Sequence, residues 1–159
     1  MPVLEPWAKD RNESARLRSQ YHYLFCQVAT AVTEVNESPM PWHEQMDILA
    51  LAPNSARRMV EAFLSFHHSE HIGNFHRGMR TALSVLEADP LRVWVERYLH
   101  AYSHNEEGDI SKPLDVTEVS AVVASLFYLM DRIDTKHYIA MCRSLGLDRE
   151  AILAVAGSK

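Results

Sequence analysis

The chain has 159 residues, of which 47% are hydrophobic and 23% charged, and a formal net charge of −5. A chain of this length buries a sizeable core without disulfides or metal, and no stretch reaches the ~20 consecutive apolar residues of a membrane span. The acidic balance excludes a protein that coats nucleic acid by bulk charge and leaves only a local basic patch for that role.

The opening MPVLEPWAKDRNES lacks a basic start followed by an apolar run, so neither a secretory signal nor a transit peptide is expected, and the expected location is cytoplasmic. Leu17, Tyr21, Leu24, Phe25, Val28, Val32 and Val35 recur at helical spacing and predict one long amphipathic helix, which NESPMP stops. Cys26 and Cys142 share no C-x-x-C spacing and read as buried, reduced thiols. Trp42, Met46 and Leu49 suit a short helix opened by Pro41. Met59, Val60, Phe63 and Leu64 restart a helix at Pro53 that runs to about Ile72, where Gly73-Asn74 interrupts it.

Phe75, Met79, Leu83 and Leu86 give the next apolar face. Asp89-Pro90 then caps a helix with an aromatic stripe of Trp94, Tyr98 and Tyr102. HNEEGDISKP reads as a surface loop. Asp115 and Glu118 form a capping box ahead of a strongly apolar helix through Val119, Val122, Val123, Leu126, Phe127, Met130 and Ile133, expected at the centre. The end, with Cys142, Leu145, Gly146, Asp148, Ile152 and Val155, predicts a helical hairpin turned at glycine. No alternating strand pattern competes. The expectation is one all-α domain over residues 1–159, a bundle of about seven or eight helices.

Two constellations carry candidate chemistry. In MPWHEQMDILALAPNSARRMVEAF, Leu49 and Leu51 flank a turn at Ala50, and Ala56 and Met59 anchor a second helix. Such a helix-turn-helix corner would present Asn54, Ser55, Arg57 and Arg58 to DNA, where Arg grips guanine or phosphate and Asn or Ser bonds base edges or backbone. The alternative is an ordinary helical corner with two solvated arginines.

The second is the set of nine histidines. His67 and His71 lie four apart, as do His100 and His104, so each pair would share a helix face, with His22, His43 or Asp47 approaching from neighbours. Facing helices hold metals in this way. Solvated or locally hydrogen-bonded histidines are the alternative. There is no glycine-rich phosphate loop, nucleophile elbow or Ser/His/Asp pattern, so neither an enzyme nor a cofactor is indicated.

Three resemblances accompany these readings. The fragment HHSEH matches the H-x-x-E-H pattern of one metalloprotease class, whose domain also carries strands that are not predicted here. HHSEHIGNF resembles the third-helix motif of haemerythrin-like oxygen carriers, without their His-x-x-x-Glu element. The order APNSARRMVEAF, YLHAYSHNEEG, LDVTEVSAVVASLFYLMDRI resembles FlhC-type helical transcriptional regulators, and IAMCRSLGLDREAI is similar to a segment of their FlhD-type partners. That resemblance covers about half the chain and implies a DNA-binding regulator working as an oligomer or with a partner subunit. The C-terminal cysteine cluster of FlhC-type proteins is not matched, since only Cys142 lies there. A non-enzymatic adaptor or antagonist that binds another protein is the alternative function.

Overall fold

The computed structural model describes residues 11–101 and 115–158. Nine α-helices follow one another in these residues: α1 (Arg11–Arg16), α2 (Gln20–Glu37), α3 (Trp42–Leu49), α4 (Ala52–His67), α5 (Phe75–Ala82), α6 (Arg92–Ala101), α7 (Val116–Ile133), α8 (Thr135–Leu145) and α9 (Arg149–Val155). Two 3-10 turns, Ser69–His71 and Leu83–Leu86, flank α5. Among the described residues there is no strand, and no helix is long and apolar enough to cross a membrane.

The centre is α7, which packs against α2, α3, α4, α6, α8 and α9. From Val119 to Asp131 every residue except Tyr128 is buried, including residues on all sides of the helix. A helix apolar all round has no solvent face to give up, so it belongs inside. Phe127 meets the Phe25 ring edge-on at 5.0 Å, and Tyr138 lies across both rings. Each such aromatic contributes roughly 1.5–3 kcal/mol by leaving water.

The apolar pattern predicted most of these elements, with two corrections. The long helix expected from Leu17 onward begins at Gln20 instead, because Ser19 takes extended backbone (φ −157°) and its hydroxyl accepts the His22 N–H as an N-cap. Leu17 is left 42% exposed before that break. The helix expected to run to about Ile72 ends at His67, since His68 leaves helical geometry (φ −136°, ψ 57°) and the chain continues as a 3-10 turn. The loop HNEEGDISKP and Tyr102 lie outside the described residues.

Candidate functional site

The corner between α3 and α4 is two residues long. Ala50 and Leu51 both keep right-handed helical backbone, and neither α3 nor α4 starts with a side-chain cap. Packing fixes the corner instead. Leu49, Ala52, Pro53 and Ala56 are buried, and the Tyr98 hydroxyl on α6 donates to the Pro53 carbonyl at 2.8 Å. Burial pushes the Tyr98 phenol well above its usual range, so it remains a donor.

Of the four residues predicted to face DNA, Asn54 and Arg58 are exposed and Ser55 and Arg57 half-buried. Arg57 is engaged within the protein: its Nε donates to Glu61 at 3.2 Å and its guanidinium lies 5.0 Å over the Phe75 ring. Its neighbour Arg58 points away from the core. Arg57 and Glu61 form one wall of a cavity of about 290 Å³, which His68, His71, Ile72 and Phe75 close from the other side. Large apolar side chains stand out around this half of the molecule: Trp42 is 67%, Leu51 65%, Phe66 82% and Ile72 69% exposed.

The histidines do not assemble as expected. Because α4 ends at His67, His67 and His71 do not share a helix face. His71 Nε2 instead meets the Thr81 hydroxyl at 3.0 Å. On α6, His100 borders a groove of about 530 Å³ with His76, Arg80, Arg92 and Glu96, and His104 lies outside the described residues. Among the described residues no three His, Cys, Asp or Glu side chains converge to hold a metal ion.

What His67 joins is a cluster that sequence spacing does not reveal. Its Nδ1 faces the Phe63 carbonyl at 3.0 Å and its Nε2 faces Asp134 Oδ2 at 3.0 Å, while the ring stacks on Phe63 with centroids 4.1 Å apart. Both facing oxygens are acceptors, so whichever ring nitrogen carries the proton donates to one of them. Asp134 is also the N-cap of α8, its Oδ1 accepting the His137 N–H at 2.9 Å. His137 in turn shares a 2.8 Å hydrogen bond between its Nε2 and the Tyr21 hydroxyl on α2.

The bonds from His67 and from the His137 backbone N–H hold the Asp134 carboxyl below the usual carboxylate range. Burial, reinforced by the charges of His67 and His22, pulls His137 below its ordinary value, and Asp134 only partly opposes this. One carboxylate therefore bonds the His67 ring and caps the helix that carries His137. The only sequence signal for this cluster was the N-cap pattern at Asp134.

The described residues define an all-α bundle with a half-buried histidine–carboxylate cluster at one seam. A family model described as an AAA domain matches residues 7–128, more than half of the chain, and the chain belongs to that family. No curated protein and no solved structure matches it. The G-x-x-x-x-G-K-[S/T] loop with which P-loop proteins cradle phosphates is not in the sequence.

Proposed function

We propose that this chain is a non-enzymatic helical interaction module that docks on the nucleotide-binding core of an AAA-type protein. The observation that carries the reading is a family match running from residue 7 to residue 128 through helices without a phosphate-binding loop. What the chain offers to such a partner is surface. Trp42, the first residue of α3, and Leu51, in the turn that follows it, are the exposed apolar side chains that anchor docking, since a few residues, aromatics above all, carry most of the energy of an interface. Two buried free thiols, one of them (Cys142) pushed up to about 11 by burial, accord with a reducing, cytoplasmic location.

The test is sedimentation of the chain with a purified P-loop core of an AAA-domain relative, with and without Mg-ATP, beside an ATPase assay of the chain alone. A defined complex and no turnover by the chain alone support the reading. No association in either state, or turnover by the chain alone, overturns it.

A second reading, a transcriptional regulator that contacts DNA through Asn54, Ser55, Arg57 and Arg58, draws on the outward placement of Asn54 and Arg58 on the first two turns of α4. Arg57 would have to leave Glu61 and Phe75 to take part. Duplex binding measured at two salt concentrations, with wild type and Arg57→Ala/Arg58→Ala, tests it. Binding that weakens with salt and drops in the double variant favours DNA, and identical curves remove the reading.

A further inference from the structure

The seam where α2, α4 and α8 meet brings together one carboxylate, two imidazoles and a phenol. His67 comes from the last turn of α4, Asp134 and His137 from the start of α8, and Tyr21 from the first turn of α2. Their separations along the chain are large, 67 residues from His67 to Asp134 and 116 from Tyr21 to His137, so the bonds tie three distant segments together. We propose that Tyr21, His67, Asp134 and His137 form an acid-released clasp, closed near neutral pH with His137 uncharged and opened when His137 takes up a proton.

The groups facing His137 set this behaviour. From α2 come the Tyr21 hydroxyl and the His22 ring, from α4 the His67 ring at 6.2 Å between centroids, and from its own helix the Asp134 carboxylate. The single carboxylate is already engaged by the His67 ring, whose charge opposes a proton on His137 across 6.2 Å between ring centroids. A proton on His137 would also sit in the first turn of α8, where the helix dipole makes a cation unfavourable. The ring is half-buried and tilted against Phe63 at 5.7 Å, so water screens the added charge incompletely.

The sign of the effect follows from proton binding. His137 is held below its unfolded value of 6.5, so between its folded value and 6.5 the opened chain binds more protons than the closed one. The contribution of His137 to the clasp is therefore complete above 6.5 and falls as pH drops through that window. Asp134, held below its ordinary 3.8, loses its contribution only at lower pH still, as pH falls through its own depressed value. The two steps are separable by titration.

The experiment is an NMR titration of the histidine ring resonances of the whole chain from pH 7.5 to 4.5, with amide hydrogen exchange of His137 and Tyr138 corrected for intrinsic rates. The expected result is a His137 midpoint below 6.5. The two amides should exchange faster over the same window, by about tenfold for each unit by which His137 is lowered. His137→Asn removes the titrating ring and should abolish that rise. His67→Gln removes the neighbouring imidazole that opposes a proton on His137 and should move the His137 midpoint upward. A His137 midpoint at or above 6.5, or exchange that speeds only in the range where Asp134 titrates, overturns the proposal. The wild-type titration decides the question even if a variant fails to fold.

Discussion

The chain turns a helical corner twice with nearly the same sequence pattern, and the two corners are held by different forces. Between α8 and α9 the turn is prepared by residues of the turn itself. Gly146 adopts left-handed backbone (φ 66°, ψ 32°), the Leu147 N–H returns to the Cys142 carbonyl at 2.9 Å, and the Asp148 carboxylate caps the Glu150 and Ala151 N–H groups. Arg149 then grips Asp131 on α7 through both Nε and Nη2. Between α3 and α4, Ala50 and Leu51 continue in helical backbone with no side-chain cap, and the corner depends on Leu49, Ala56 and the Tyr98 hydrogen bond. A corner stabilised by local chemistry is sensitive to its turn residues, whereas one stabilised by packing tolerates changes at its surface. The apolar side chains at the second corner are thus free to serve as contact residues.

Substitutions can break this contrast in graded steps. The largest effect is expected for Arg149→Ala, which strands the 6%-exposed Asp131 carboxylate without its cation; a loss of about 3 kcal/mol in a urea melt is predicted. Gly146→Ala places a Cβ on left-handed backbone and should cost about 1–2 kcal/mol by the same measurement. Ala50→Gly should cost no more than about 0.5–1 kcal/mol, the intrinsic penalty of glycine on helical backbone. If Gly146→Ala and Ala50→Gly proved equal, the distinction between the two corners would fail. Asp148→Ala removes two capping bonds and should cost about 1 kcal/mol, and the smallest change is expected for Leu51→Ser, which should leave stability within about 0.5 kcal/mol of wild type.

These corners also show what could be read from the sequence. Gly146, Asp148 and Asp115 announce their caps because glycine and aspartate act on N–H and C=O groups within four residues of themselves. The apolar helix through Val119 and Phe127 was legible for the same reason, since its periodicity is local. The start of the long helix at Gln20 was missed because the apolar spacing from Leu17 to Tyr21 continues across the Ser19 cap. The histidine seam was misread as His67 with His71. Four-residue spacing implies a shared face only if the helix continues, and it stops at His67. Nothing local links His67 to Asp134 or Tyr21 to His137, so that cluster appears only once the helices are packed. Arg57 is similar: its spacing suggested an outward cation, and the Phe75 ring beneath it comes from a different helix.

The most direct test of the central claim is the affinity of the chain for a P-loop core of an AAA-domain relative, measured for wild type and for Trp42→Asp/Leu51→Asp by sedimentation. Both positions are solvent-exposed, and Asp at the start of α3 or in the turn after it leaves the core untouched, so the variant should melt like wild type. The account predicts a complex that weakens by at least about tenfold in the double variant, as expected when two apolar anchors are replaced by charge. Undiminished binding by a folded variant would contradict it.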